Sequence, residues 1–228
     1  MIGIITAMNC EAEKLREMLS DSRSEKLGAS VYTRGRLGKT EVVVSVCGIG
    51  KVFAGACAQT MIVDFGCTHI FNIGAAGSLS EKVGIGDIIT ASATVQYDMD
   101  TSALGDPVGL ISGLDVVEME CDKSFSDSFA QFAAKQGKTL KTGIIATGDK
   151  FIKRSEDKKL LAEHFGASAG EMEGAAVGQI CCANGVPYNV IRVITDNASE
   201  EAGDEYSFNL EECAVYLAQL FAQYLQSK

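Results

Sequence analysis

The sequence predicts an α/β fold: a single-domain, three-layer sandwich over residues 1–228, with a central mixed sheet flanked by helices. Three observations predict it. Runs rich in β-branched residues alternate with segments of helical periodicity along the chain. Short glycine-rich turns follow several of those runs, at Gly48–Gly50, Gly74–Gly77 and Gly148. The hydrophobic fraction is 46% over 228 residues, enough to bury a sizeable core, and no linker, repeat or low-complexity stretch divides it.

Ile2 to Ala7 reads as a buried strand. Residues 9–20 read as a helix, with Leu15, Met18 and Leu19 at helical spacing and Asn9 as N-cap. Ser30–Arg36 and Glu41–Val46 lie either side of Gly38-Lys39, which predicts a hairpin. Cys47–Lys51 is a turn, followed by a small-residue helix from Val52 to about Phe65. His69–Ile73 is a strand ending in Gly74-Ala75-Ala76-Gly77, and Gly86-Asp87 precedes another from Ile88 to about Thr94. Residues 98–116, around Pro107, read as loop. A helix is expected over 124–136, a strand over Thr142–Thr147 and a helix over 156–165. A further helix runs from near Glu173 to Gly185, and Asn189–Ile194 is a strand leading into Thr195-Asp196. The last helix, from about Asn209 to Leu225, carries Ala214, Leu217, Leu220, Phe221 and Leu225 on one face.

A net charge of −10 without any run of Lys or Arg argues against a nucleic-acid partner. No segment approaches the roughly 20 apolar residues of a membrane span, and the start of the chain lacks a basic, signal-like region. The eight cysteines form no C-x-x-C pair and sit mostly in apolar runs, as reduced thiols of a cytoplasmic protein do. With only His69 and His164, and no paired Cys/His spacing, neither a metal site nor a Ser/His/Asp triad is expected. His69, in an apolar strand, reads as structural.

Ligands of α/β sheets bind beyond the carboxyl ends of strands. Four acidic residues fall at such places: Glu11, Glu171, Glu173 and Asp196. Each also suits an ordinary role at a helix start or turn. Gly48-Ile49-Gly50-Lys51 lacks the spacing and the Ser/Thr of a phosphate loop.

The ordered set is more specific than its parts. Ala7-Met8-x-x-Glu11, Gly48-Ile49-Gly50-Lys51, Asn72-Ile73-Gly74-Ala75-Ala76-Gly77 and Gly86-Asp87 come first. Thr147-Gly148-Asp149-x-Phe151-Ile152, Glu171-Met172-Glu173 and Arg192-Val193-Ile194-Thr195-Asp196 follow. Over essentially the whole chain this resembles the methylthioadenosine/S-adenosylhomocysteine nucleosidases of the purine nucleoside phosphorylase superfamily. The resemblance implies a nucleoside phosphorylase-like fold and hydrolysis of the N-ribosidic bond of a small nucleoside, without cofactor, in a homodimer. It implies that Glu11 orients the attacking water and that Asp196 acts as acid at adenine N7. Glu173 would accept from the ribose hydroxyls, with Met172 and Met8 against the sugar. Phe151 would stack on adenine, the Ile152 backbone would read its edge, and Ile49 would line the 5′-pocket. Arg192 would set the carboxylates, Glu11 included; Glu171 and Thr195 match the motifs without a defined role. The partner subunit would complete the 5′-pocket, from residues 102–113.

Three departures stand out. Asn9-Cys10 replaces acidic residues common after Ala-Met, and Ala75 stands where a serine is frequent, so backbone donors or a neighbouring residue must serve the water there. Tyr97-Asp98-Met99-Asp100 stands where His-Asp-x-Asp is common. Two relatives remain as rivals: an aminodeoxyfutalosine nucleosidase, differing only at the 5′-group, and a phosphate-dependent phosphorylase. The latter would want cations or several backbone donors where the first loop offers Glu11, although Lys51 is close in sequence to a glycine turn. A nucleoside-binding protein with a dead site would have lost Glu11 or Asp196.

Overall fold

The computed structural model describes residues 1–228. The chain opens with β1 (Ile2–Thr6), α1 (Asn9–Glu17), β2 (Ser20–Leu27), β3 (Ser30–Leu37), β4 (Thr40–Val46) and α2 (Lys51–Val63). It continues through β5 (His69–Ser78), β6 (Ile88–Gln96), β7 (Met119–Glu120), α3 (Lys123–Lys135) and β8 (Lys141–Thr147). It ends with α4 (Ser155–Phe165), β9 (Ala167–Glu171), α5 (Gly174–Asn184), β10 (Tyr188–Asp196) and α6 (Ala202–Gln226). A short 3-10 turn, Ser102–Leu104, is the only helical piece of the long loop before β7.

All ten strands belong to one mixed sheet in the order β10-β6-β8-β9-β5-β1-β4-β3-β2, with β7 on β6. β1 runs parallel to β4 and β5, and β10 pairs parallel with β5 and antiparallel with β6. Because β10 bonds both β5 and β6, the strands β5, β10, β6, β8 and β9 close on themselves. The remaining strands extend from β5 as an open wing.

Strand alternation divides the core between two faces. Ile5, Val43, Ile70, Val190 and Ile194 pack with α2 and α5. Ile4, Val42, Val44, Phe71, Ile191 and Val193 pack with α1, α3 and α6. Burial on both faces is why these strands read as continuous apolar runs. On the second face Phe71, Phe125 and Phe221 interlock, with centroids 4.5 Å (Phe71–Phe125) and 5.1 Å (Phe71–Phe221) apart. Aromatic contacts of this kind add to the burial itself. His69 stacks on Phe71 at 4.3 Å and bonds Asn189 at 2.8 Å, the structural role expected of it.

Some elements differ from the sequence reading. β2, β7 and β9 were not expected. β2 (SDSRSEKL) is exposed at every position and exists because its backbone pairs with β3. β9 (ASAGE) has no β-branched residue; a Cβ on its Gly170 would come within 2.6 Å of Ile152, so close packing selects small residues. α6 begins at Ala202, not Asn209: its first turns carry Asp204 and Glu205, favoured at a helix N-terminus but outside any apolar stripe. Asn9 is the first residue of α1 and not its cap. The Glu11 carboxylate takes the free Met8 N–H instead, at 2.9 Å.

Candidate active site

The carboxyl ends of β1, β4, β5, β8, β9 and β10 meet around one cavity of about 290 Å³. Met8, Glu11, Ile49, Ala75, Phe151, Ile152, Glu171, Met172, Glu173, Thr195 and Asp196 all line it. Arg192, which the sequence placed beside them, does not. It lies beneath the floor, 1% exposed.

Glu11 is buried, and backbone donors fix both its oxygens. Oε2 accepts from Ala7 N and Met8 N at 2.9 Å each, and Oε1 from Ala75 N at 3.0 Å. Position 75 thus serves the carboxylate through its main chain, which alanine supplies as well as serine. A Cβ on Gly74 would stand 2.5 Å from Glu11 Oε1, so β5 admits this carboxylate only because that residue is glycine. Burial pushes the Glu11 pKa up; the three N–H groups and the charge of Arg192 pull against it without winning. Arg192 makes no hydrogen bond to Glu11. The expectation that it directly sets Glu11 gives way to an influence through space.

Asp196 reaches the cavity from β10. Oδ1 accepts from Ala198 N at 3.0 Å and Oδ2 from Thr195 Oγ1 at 3.0 Å. Ala198 adopts φ 48°, a costly conformation for an L residue, and this turns its N–H back onto the carboxylate. A Cβ on Gly77 would come 2.7 Å from Asp196 Oδ1, the counterpart of Gly74 at Glu11. Burial raises the Asp196 pKa, as an acid requires; the Ala198 N–H and the Thr195 hydroxyl oppose it. Thr195 therefore orients Asp196 as well as lining the wall.

Glu171 and Glu173 diverge. Glu171 ends β9 with its side chain 2% exposed, bonded to the Arg192 guanidinium, the Thr147 hydroxyl, and the N–H groups of Glu173 (3.1 Å) and Gly174 (2.7 Å). Four donors of the fold thus engage its carboxylate, three of them at Oε2. Arg192 also bonds Asn72. Glu173, two residues further on at the N-cap of α5, accepts from Gly50 N at 2.7 Å through Oε1. Burial and the neighbouring Glu171 charge push its pKa up to about 7.

The apolar wall comes from Met8, Ile49, Phe151, Ile152 and Met172. The main-chain groups of Phe151 and Ile152 enter none of the fold's hydrogen bonds, which leaves them free for a planar polar ligand edge. The sequence reading missed Tyr206, brought in by the early start of α6. Its ring meets Phe151 edge-on at 5.6 Å and its hydroxyl reaches the Met8 sulfur at 3.1 Å. Lying N-terminal to the recognised stripe of α6, it gave no periodic signal.

Four buried carboxyl groups and one buried arginine surround the cavity, and burial favours the neutral form of Glu11, Glu173 and Asp196. Each carboxyl that ionises there favours developing positive charge nearby and disfavours a second anion. Lys51 does not enter: its ammonium bonds Asp98 at 2.6 Å and Gln96 at 3.3 Å. Lys150 lines the wall but pairs with Asp157 at 2.7 Å.

The model of the phosphorylase superfamily matches residues 1–226. The aminodeoxyfutalosine nucleosidase of Helicobacter pylori is 37% identical, over 99% of this chain and 96% of its own length. A 5′-methylthioadenosine/S-adenosylhomocysteine nucleosidase of Actinobacillus succinogenes is 33% identical, over 89% of this chain and 88% of its own. Among solved structures, the Helicobacter pylori MTAN mutant with 5′-methylthioadenosine in the active site matches with a TM-score of 0.96 at 35% identity. The match covers 100% of this chain and 98% of that one.

Proposed function

The chain belongs to the phosphorylase superfamily, and we propose that within it this protein hydrolyses the N-ribosidic bond of 5′-methylthioadenosine and S-adenosylhomocysteine, and of 5′-deoxyadenosine. Adenine and the 5′-substituted ribose are the products. The observation that carries the reading is the pair Glu11 and Asp196, each fixed by hydrogen bonds in one acidic cavity where no cation is free to hold phosphate.

Breaking the N9–C1′ bond leaves positive charge on the ribose and negative charge on the base. Asp196, whose pKa burial raises, gives its proton to N7 and neutralises the leaving adenine. Glu11 orients water at C1′ and takes its proton as the new C–O bond forms; a raised pKa makes it the stronger base. Glu173 accepts from the 2′- and 3′-hydroxyls, with Met8 and Met172 against the sugar. Phe151 stacks on the base, and the free main-chain groups of Ile152 read its edge. Ile49 and Tyr206 border the 5′-group. Arg192 and Glu171 hold the floor. The chemistry needs no cofactor.

A homodimer is part of the reading. Val52 is 81% exposed and Phe53 52%, three and four residues after Ile49 of the cavity wall, and Leu104 in the 102–113 loop is 83% exposed. Apolar side chains beside a site mark a surface that a second chain covers. The eight free cysteines suit a reducing cytoplasm, and the products suit a step of methionine salvage. The Helicobacter pylori relative supports a second reading in which the 5′-group is that of aminodeoxyfutalosine.

The test is adenine release from 5′-methylthioadenosine, S-adenosylhomocysteine, 5′-deoxyadenosine and aminodeoxyfutalosine, each with and without phosphate. Phosphate-independent adenine and free methylthioribose are expected. A sugar 1-phosphate formed only with phosphate overturns the hydrolytic reading. Turnover of aminodeoxyfutalosine alone moves the assignment to the second reading.

A further inference from the structure

Lys51 and Asp98 are unused by the proposed reaction, and neither lines the cavity. Both belong to a closed circuit with Asp149. The Lys51 ammonium donates to Asp98 Oδ1 at 2.6 Å. Asp98 Oδ2 accepts the Asp149 N–H at 3.0 Å. Asp149 Oδ1 in turn accepts the Lys51 N–H at 2.8 Å. Three segments far apart in sequence are thereby joined: the chain just after β6, the turn after β8, and the first residue of α2. Gln96 braces the circuit, accepting from Lys51 at 3.3 Å and donating to Gln179 of α5 at 2.7 Å.

Next to Lys51 stands Gly50, whose N–H donates to Glu173 at 2.7 Å. Gly50 occupies the N-cap position of α2 at φ 102°, a conformation that glycine adopts without strain. A glycine has no side chain with which to cap, so Asp149 supplies the missing acceptor from another segment. It also packs over the glycine: a Cβ there would stand 3.0 Å from Asp149 Oδ1. A Gly-Ile-Gly turn is intrinsically loose, and the circuit is what fixes it.

We propose that Asp98, Lys51 and Asp149 are positioning residues of the reaction: their circuit holds the Gly50 N–H on Glu173 and so aims that carboxylate at the ribose hydroxyls. This rests on the role given to Glu173 above. Glu171, Arg192 and Glu11 act on Glu173 from β9, β10 and α1, and the Cys47 thiol and Tyr206 phenol lie near it. Glu171 and Glu11 favour its neutral form; Arg192 and the Gly50 N–H favour the anion. Of these influences, the Gly50 donor is the one that the circuit holds from outside the cavity. Its loss frees the carboxylate to turn and moves it toward the protonated form.

The variants are Asp98→Ala, with Asp98→Asn as the milder change, and Lys51→Arg as the conservative one. Hydrogen exchange at the Gly50 amide reads the circuit without any substrate. Exchange about tenfold faster in Asp98→Ala is expected, with Lys51→Arg close to the parent protein. In kinetics, Asp98→Ala raises KM for 5′-methylthioadenosine by about tenfold, the weight of a hydrogen bond to a charged group. It raises KM less for the 2′-deoxy analogue and moves the acid limb of kcat/KM to higher pH. In a Glu173→Gln background it adds nothing further. Unchanged Gly50 exchange, or equal KM rises on both substrates, overturns the circuit. Failure of the parent protein to release adenine overturns the reading of the site instead, and Gly50 exchange then decides the circuit alone. Should Asp98→Ala fail to fold, Asp98→Asn carries the same readouts.

Discussion

Glu11, Glu173 and Asp196 share one physical circumstance, burial that favours the neutral acid, and the proposed reaction asks different things of each. Asp196 must hold its proton, so burial serves it directly. Glu11 must give its proton up, and three N–H donors hold it in place. Glu11→Gln and Asp196→Asn keep the shape of each site while removing base and acid. Each is expected to lower kcat by about 10²–10⁴-fold with an unchanged circular-dichroism spectrum; near-normal turnover in either removes that residue from its role. Glu173 gives a stability prediction as well. Its folded pKa of about 7 lies above the ordinary 4.5, so the fold holds the proton more tightly than the unfolded chain does. The group is neutral in both states below the ordinary value, and the cost of its charge grows as pH rises through about 7. Glu173→Gln is therefore expected to raise Tm at pH 8 by at least about 3 °C and to change it little at pH 4. Equal Tm shifts at both pH values would mean that packing, and not charge, governs this position.

At the scale of elements, the site is made by strand ends, and β5 shows how closely they are fitted. Gly74 and Gly77 stand on this one strand, and each leaves room for a carboxylate delivered by another element: Glu11 from α1 and Asp196 from the end of β10. Gly74→Ala puts a Cβ where Glu11 Oε1 now lies and must displace a group anchored by three donors. A displacement near 1 Å in a reacting group costs about 10²-fold in rate, and that loss is expected in kcat for Gly74→Ala. Stability should move far less, since the displaced atom belongs to a side chain and Gly74 is not among the residues at positive φ. A crystal structure of the variant with Glu11 unmoved would refute this account. α6 makes a complementary point. Its polar first turns bring Tyr206 over Phe151 and Met8, so the same helix that packs the core through Leu217 and Phe221 also closes one side of the cavity.

For the whole molecule, charge and surface carry the expectations. A net charge of −10 and an acidic cavity together work against phosphate, so adenine release should be insensitive to phosphate beyond the effect of ionic strength. The exposed apolar side chains at Val52, Phe53 and Leu104 predict that light scattering finds two chains per particle. Phe53→Glu should shift that particle toward one chain and weaken turnover of substrates with a 5′-group; a monomer in the unaltered protein would remove the partner subunit from the 5′-pocket.

Strands buried on both faces declared themselves in the sequence, because a run such as Val42–Val44 must be apolar at every position to serve two layers. Helices with a wet face declared themselves through period. The motif acids were legible as well, since they stand next to strand ends and glycine turns. β2 and β9 were not, because their backbones are held by neighbouring strands and their side chains carry no pattern. Nor could local pattern distinguish Glu171 from Glu173, two residues apart and chemically alike; only the family resemblance gave Glu173 a role and left Glu171 without one. Tertiary structure decides that: Arg192, buried on β10, pairs with the first, and the N–H of Gly50 meets the second. The sequence by itself determined the layering and the residues available for chemistry, because burial and period act locally along the chain. Only the tertiary structure decided which carboxylate is spent on the fold, which stays open to a ligand, and that Tyr206 joins them. Those outcomes depend on partners brought together across the sheet, and no local pattern encodes them.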